Sequence, residues 1–439
     1  MPAVVLLLSA GLSALGSVPW PHPSTFTAGE TVLVLPSKQH RASGGAKFSF
    51  THDNVEKLPA LSEAAARIQN LIVNAHGEGC HSQSANKTGG AAPLLQSCTV
   101  SLNPEENANQ PLVGPLALED EAYSLTIDAA GTSCVIYAKT QWGAIHGMES
   151  LAQLAGENCT IQNAPIQIDD IPRFGFRGLM IDTSRHYLPV HFVKHILDGM
   201  AMLKLNVLHW HIVDSQSFPY VSEKFPGLSG KGAYAPQATY TKQDLKSIVK
   251  YAEQHAIRIM PEFDMPGHGD WEQGEPKIMV LDGPCKNTMD PTQDATFTFL
   301  RKFLSEVTEV FPDQYLFLGG DEVSGECWSG SPSVQAWMEA HEMDSAGLGR
   351  YFWQQMTQLV LPHLNRTLGV WEDDQPQPHP DDLPPGSFGN IWQAQNTIVN
   401  ATLRKFDAVL SGPWYLDQQK PGGCSSYSLQ VRVQLIGHL

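Results

Sequence analysis

The sequence predicts an α/β protein: a (β/α)8 TIM-type barrel whose eighth strand is missing, preceded by a small α+β domain. Three observations predict it. From about residue 170 short apolar runs alternate with longer stretches of helical periodicity, which implies repeated βα units and a parallel sheet. Nearly every run ends in polar or aromatic residues, as strands do where they open onto the mouth of a barrel. No glycine-rich dinucleotide turn follows the first run, which argues against a doubly wound sheet.

In chain order, residues 1–17 read MPAVVLLLSAGLSALGS. An apolar stretch from Val4 to Leu15 gives way to small residues, the pattern of a signal peptide without a basic n-region. The small domain is assigned to residues 20–165. Residues 20–45, rich in Pro, Ser, Thr and Gly, read as an irregular entry segment. KFSFTHD reads as a strand, and EAYSLTIDAAGTSCVIYAKT as a hairpin turning at Ala130-Gly131. ALSEAAARIQNLIVNA and TQWGAIHGMESLAQLA carry helical periodicity. IQNAPIQIDDIPRFGFRG, with its two prolines, reads as a linker.

The barrel is assigned to residues 170–417. Its strands are read at 178–184, 205–214, 257–264, 314–322, 367–373, 388–393 and 407–416. PVHFVKHILDGMAMLK and TKQDLKSIVKYAEQHA are among the helices between them. Residues 418–439 form a divergent tail.

Composition bounds the partners. A chain of 439 residues, 42% hydrophobic, can bury a large core, and a net charge of −17 argues against nucleic acid or an anionic membrane as partner. No run after the N-terminus is long enough to span a bilayer. Seven cysteines (80, 98, 134, 159, 285, 327 and 424) allow three pairs and one left over, and Cys134 with Cys159 is one pairing open to them. Sequons at Asn86, Asn158, Asn365 and Asn400 point the same way, to the secretory pathway. No CxxC spacing occurs, and neither a metal nor another cofactor is expected.

The strand ends hold the chemistry. Asp182 and Arg185 follow strand one; His209, His211 and Asp214 lie on strand two; Glu262, Asp264 and His268 close strand three. Strand four ends in YLFLGGDEV, where Asp321 and Glu322 stand side by side; later strands bring Trp371, Trp392, Trp414 and Tyr415. Adjacent carboxylates repel, so a loop without function would avoid them. Carboxylates, an arginine and aromatic faces suit a sugar, and cleaving a glycoside needs an acid to protonate the leaving oxygen. Glu262 and Asp182 are read as buried structural partners. His209-Trp210-His211 admits a zinc-dependent hydrolase instead, but no matching histidine follows on strands five to seven.

LGGDEV followed by CW, together with DTSRHYLP, LNVLHWHIVDSQSFP, PEFDMPGHG and LSGPWYL, resembles family 20 glycoside hydrolases, the β-N-acetylhexosaminidases, from about residue 20 to Asp417. The resemblance implies hydrolysis of terminal non-reducing β-linked N-acetylhexosamine from glycoconjugates or chito-oligosaccharides. It implies substrate-assisted retention, an exception to the two-carboxylate scheme. Glu322 then matches the acid/base and Asp321 the residue orienting the 2-acetamido group, their side chains diverging from an extended strand end. Arg185 matches the arginine that grips sugar hydroxyls, with Asp214 and His268 in support. Trp371, Trp392 and Trp414 match the pocket walls, Tyr415 the tyrosine bonding the acetamido oxygen, and Asp417 a contact to a sugar hydroxyl. Cys285 with Cys327, and Cys80 with Cys98, resemble family disulfides. The implied partners are N-acetylhexosamine-terminated glycans and a second copy in a homodimer; the implied location is lysosomal, vacuolar or extracellular.

This sequence also departs from the family. Phe317 stands where a histidine is usual, and Ser215 where an aspartate commonly follows Asp214. After Asp417 no Trp-x-Glu motif matches the eighth strand. LQVRVQLI alternates like a strand, and the Pro-Gly-Gly before it suggests a hairpin on strand seven. The alternative expectation is therefore a truncated, non-catalytic member that binds glycans weakly or folds poorly, its first and seventh strands left with open edges.

Overall fold

The computed structural model describes residues 18–36, 48–52, 58–74, 92–103, 111–114, 116–156, 160–285, 287–372, 380–392, 407–411 and 434–435. Two compact units divide the chain: Met1–Gly175 with Ile196–Leu205 and Glu253–Ile257, and Phe176–His195 with Asn206–Ala252 and Arg258–Leu439.

The first unit is a mixed sheet with two long helices. Its strands are β1 (Thr25–Val34), β2 (Ser49–His52), β3 (Ser97–Leu102), β4 (Tyr123–Ile127), β5 (Cys134–Ala138), β6 (Ala155–Gly156) and β7 (Thr160–Asp170). They lie in the order β1-β7-β4-β5-β3-β2, with β6 beside β7. Alternation sets the buried face: Leu125, Ile136, Ile166 and Ile168 join Ile68 from the Pro59–Asn74 helix and Trp142 from the Gln141–Leu154 helix in one core. Thr140 caps the latter helix, its hydroxyl accepting from the amides of Trp142 and Gly143. The expected hairpin is present as β4 and β5.

Three expectations for this unit are corrected. The entry segment contains the ten-residue β1, and the linker contains the eleven-residue β7, which pairs with both β1 and β4. Local turn composition hid two strands that long-range pairing stabilises. Cys98 is bonded to Cys134, not to Cys80, and that also removes Cys134 as a partner for Cys159. The reason is register. β3 runs parallel to β5 with Thr99 opposite Val135, which sets Cys98 across from Cys134 at a Cα separation of 4.5 Å. Cys80 and Cys159 lie outside the described residues.

The second unit carries β8 (Arg177–Asp182), β9 (Val207–Val213), β10 (Arg258–Phe263), β11 (Tyr315–Phe317), β12 (Thr367–Trp371), β13 (Phe388–Ile391), β14 (Asp407–Leu410) and β15 (Gln434–Leu435). The sheet order is β14-β13-β12-β11-β10-β9-β8-β15. β8 to β14 are parallel neighbours in chain order, as the barrel reading requires. β15 is the correction. It does not hairpin onto strand seven but pairs antiparallel with β8, Leu435 opposite Arg177, so the edge of strand one is covered there. At the start of β10, Arg258 pairs with the buried Asp313 at 3.3 Å and lies over the rings of Phe176 and Tyr315, closing the end away from the mouth. Above it the interior is filled by Val207, Met260, Phe317, Phe388 and Val409.

Candidate active site

Parallel register brings the carboxyl ends of the strands to one level. Asp182 lies opposite His211, His211 opposite Glu262, and Glu262 opposite Phe317. Around this level three charged layers are built.

Glu262 is the deepest. Its Oε2 meets His209 Nε2 at 2.7 Å and His211 Nδ1 at 2.9 Å, and its Oε1 accepts from Trp371 Nε1 at 2.6 Å. Burial works against the charge, but the two histidines outweigh it and hold the Glu262 carboxyl down to about 2. The other nitrogen of His211 donates to Asp214 Oδ2 at 2.8 Å. Burial would lower His211, yet Glu262 and Asp214 raise it to about 10, so it is a buried imidazolium between two carboxylates. His211 therefore hydrogen-bonds Asp214 through Nε2 and lies at ion-pair distance from Glu262 through Nδ1.

The second layer holds Arg185. Asp182 Oδ1 accepts from the amides of Ser184 and Arg185 at 3.0 and 2.9 Å, turning the chain after β8. Its Oδ2 takes Arg185 Nη1 at 2.7 Å, while Asp214 Oδ2 takes Nη2 at 2.7 Å. The guanidinium is therefore oriented by two acids, and Asp182, read as a buried structural partner, is a half-buried member of the site. Asp214 is 1% exposed and lies well below the ordinary carboxylate range: its hydrogen bonds to His211 and His268 outweigh the cost of burial.

The third layer is the acidic pair. β11 stops at Phe317, so Asp321 and Glu322 stand on a loop and not on an extended strand end. Gly319 has φ of +67°, and a Cβ there would sit 1.9 Å from the Asp264 carboxylate. Only glycine lets the loop close over Asp264, whose Oδ1 accepts the Gly320 amide at 2.8 Å. Glu322 itself has φ of +51°, and the two side chains do not diverge as expected: a carboxylate oxygen of Glu322 lies within 4.8 Å of one of Asp321, with His268 beside both. It is 58% exposed, and its Oε2 faces His268 Nε2 at 3.2 Å. His268, also left-handed at φ +44°, turns Nδ1 to Asp214 Oδ1 at 3.4 Å. Burial lowers its pKa, but Asp214, Asp321 and Glu322 raise it on balance. Downstream, Val323 packs with Trp328 and Leu348, Ser324 caps the next helix, and the expected Cys285–Cys327 bond ties that helix down.

Asp321 shares a side-chain hydrogen bond with Asp264. Burial and then the charge of Asp321 push Asp264 well up; burial raises Asp321 too, against the pull of Asp264 and His268. The shared proton therefore rests on Asp264, the deeper of the two, and Asp321 keeps the negative charge. Apart from the proton shared with Asp264, the buried Asp321 Oδ1 has no hydrogen-bond partner among the described residues.

Sequence reasoning placed Asp264 at a strand end but gave it no role. The signal was its EFD spacing beside Glu262, uninterpretable without the loop that folds over it. The structure brings together Arg185, Asp214, His268, Asp321 and Glu322. Trp371 and Trp392 belong to the interior cluster with Phe317, and Trp371 is only 5% exposed. Phe317 fills the usual histidine position by packing on His209 at 4.3 Å and Trp371 at 5.0 Å. Ser215 donates its amide to Asp214 Oδ1 and its hydroxyl accepts from Asn287. Trp414, Tyr415, Asp417, Asn86, Asn158 and Asn400 lie outside the described residues; Asn365 is exposed.

Residues 174–434 match the family described as "Glycosyl hydrolase family 20, catalytic domain", and residues 19–154 match "beta-acetyl hexosaminidase like". The chain belongs to glycosyl hydrolase family 20. The catalytic-domain match of this family 20 chain thus continues past Asp417. Mouse "Beta-hexosaminidase subunit beta" is 34% identical over 444 residues, covering 95% of this chain and 78% of that protein. The human protein of the same name is 38% identical over 323 residues, covering 69% and 56%. The "Beta-hexosaminidase A" of Caenorhabditis elegans is 37% identical, covering 76% and 62%. The chain thus spans between about half and four fifths of the length of these relatives. Among solved structures, a chitobiase from Flavobacterium johnsoniae superposes with a TM-score of 0.74 at 28% identity, over 92% of this chain and 60% of that one.

Proposed function

We propose that this family 20 chain hydrolyses terminal non-reducing β-linked N-acetylhexosamine from glycoconjugates or chito-oligosaccharides by substrate-assisted retaining catalysis. One observation carries the reading: a buried Asp321 oxygen lacking a donor beside an exposed Glu322. An acetamide N–H satisfies the first, and the second, exposed beside His268, meets the glycosidic oxygen.

In the first step the acetamido oxygen of the substrate attacks the anomeric carbon. The bond to the leaving oxygen breaks as Glu322 gives that oxygen its proton. The ring formed is a cationic oxazolinium, and the charge on Asp321 stabilises it through the N–H. In the second step the Glu322 carboxylate takes a proton from water, the water oxygen bonds to the anomeric carbon, and the acetamide is restored. Two inversions give net retention. Arg185 binds hydroxyls at positions 3 and 4, its fork set by Asp182 and Asp214. The family resemblance assigns the pocket walls to Trp371, Trp392 and Trp414, the acetamido contact to Tyr415 and a hydroxyl contact to Asp417.

The same reading places the chain in the secretory pathway, with a lysosomal or extracellular destination. Two disulfides suit an oxidising compartment, and Asn365 offers an exposed sequon. Among the described residues no helix is long and apolar enough to cross a membrane. A homodimer is the expected assembly; two of the relatives are named as subunits.

The test is chromophore release from an aryl β-N-acetylglucosaminide by the purified chain. Glu322→Gln is expected to lower kcat by about 10² to 10⁴, and the thiazoline analogue of the sugar to inhibit competitively. Undiminished turnover in Glu322→Gln, or indifference to the thiazoline, overturns the reading.

A further inference from the structure

Arg185 sits on a loop, residues 183–189, that leaves β8 and has no strand partner of its own. Its side chain is oriented by Asp182 and Asp214, and the backbone before it is held by the Asp182 carboxylate and by Ser217, which exchanges hydrogen bonds with Ser184 at 2.8 and 2.7 Å. The carbonyl of Arg185 and the residues after it are tied from another direction. A second loop, residues 233–241, faces it, and three tyrosine hydroxyls cross between the two. Tyr234 Oη donates to the carbonyl of Arg185 itself at 3.2 Å. Tyr187 Oη donates in the opposite sense, to the carbonyl of Thr239 at 3.1 Å. Tyr240 Oη donates to the carbonyl of Leu188. The rings of Tyr187 and Tyr240 meet at 4.9 Å.

The second loop is rigid enough to serve as an anchor. Tyr240 is fully buried, packs edge-on against Trp210, and exchanges backbone hydrogen bonds with Pro219 and Val221 at 2.8 and 3.1 Å. Ala238 closes a turn on the Ala235 carbonyl at 2.9 Å, and Thr239 Oγ1 donates to the Pro236 carbonyl at 3.0 Å. Tyr234 differs from its two companions. Its side chain contributes little to any core, since the residue is 55% exposed, yet its hydroxyl reaches the one backbone carbonyl that belongs to the site's arginine. A solvent-facing tyrosine held for packing would not need that contact.

We propose that Tyr234 is a positioning residue for Arg185, and that the three hydroxyls together form a staple that sets the arginine's reach toward the sugar. The proposal rests on the reading of Arg185 as the hydroxyl-binding arginine. Its consequence is selective. Arginine–hydroxyl contacts form in the bound substrate and persist through the transition state, so loosening the staple raises KM and leaves kcat nearly unchanged. It also blunts discrimination against a substrate that lacks the hydroxyl the arginine holds.

The experiment compares wild type, Tyr234→Phe and Arg185→Ala on an aryl β-N-acetylglucosaminide and on its 4-deoxy analogue, with Tm measured alongside. Tyr234→Phe is expected to keep the wild-type Tm within a degree or two, to raise KM by about threefold to tenfold, the effect of one hydrogen bond, and to shrink the wild-type preference for the 4-hydroxy substrate. Unchanged KM and unchanged preference in a folded Tyr234→Phe overturn the proposal. If Arg185→Ala keeps the full wild-type preference, the hydroxyl-binding reading of Arg185 fails and the proposal falls with it. Those two failures are distinguishable, because only the second appears in Arg185→Ala. Tyr187→Phe, which removes a second strand of the staple, provides the same readout if Tyr234→Phe is poorly expressed.

Discussion

Asp264→Asn tests where the proton in the acidic cluster resides. Asp264 and Asp321 share a hydrogen bond in a buried setting, and the Gly320 amide already occupies Asp264 Oδ1 at 2.8 Å. Two ionised carboxylates about 4 Å apart repel by about 4 kcal/mol at an effective dielectric of about 20, equal to about a thousandfold in proton affinity. One of the pair must stay protonated near neutrality, and the deeper Asp264 is the one raised most. An asparagine reproduces a neutral Asp264: its Oδ1 accepts from Gly320 and its Nδ2 donates to Asp321. The expected loss in kcat/KM is at most about tenfold, the difference of about 1 kcal/mol between an acid and an amide donor. Asp321→Asn, which removes the charge that faces the oxazolinium, is expected to cost about 10² to 10³. The assay is kcat/KM for an aryl β-N-acetylglucosaminide across pH. In Asp264→Asn the alkaline decline contributed by Asp264 should vanish. A loss beyond about a thousandfold in a folded Asp264→Asn would show that Asp264 works as an anion and would refute the assignment.

Two further outcomes follow from the packing. His211 is raised from 6.5 to about 10, so the stability its charge confers is complete below about pH 6.5 and is lost as pH rises toward 10. Glu262 is lowered from 4.5 to about 2, so its contribution is complete above about pH 4.5 and is lost as pH falls toward 2. Tm should therefore be highest between about pH 4.5 and 6.5, and His211→Gln should flatten the alkaline side in a calorimetric pH series; an unchanged alkaline slope would contradict the buried imidazolium. Gly369→Ala should lower stability by about 1–3 kcal/mol in urea titration, because its Cβ would lie 2.4 Å from the Phe317 ring and 2.7 Å from that of Phe388. A neutral result there would mean that the aromatic interior is loosely packed.

What the sequence determined by itself was local or periodic. Seven parallel strands in chain order follow from alternating apolar runs, since burial on both faces demands them wherever they pair. The segments that follow the strands carry the site residues Arg185, Asp214, His268, Asp321 and Glu322, because backbone direction alone sends them to one mouth. Long-range pairing was invisible, and it decided the rest. β1 and β7 lie in segments whose turn-forming composition concealed them, and Cys98 meets Cys134 only because β3 and β5 are neighbours in register. Position 319 must be a left-handed glycine because the loop closes over Asp264 there. Protonation is likewise a tertiary property. Asp264, His211 and Glu262 have ordinary pKa values as isolated side chains, and they acquire their charges only when burial removes water and leaves each facing a particular neighbour.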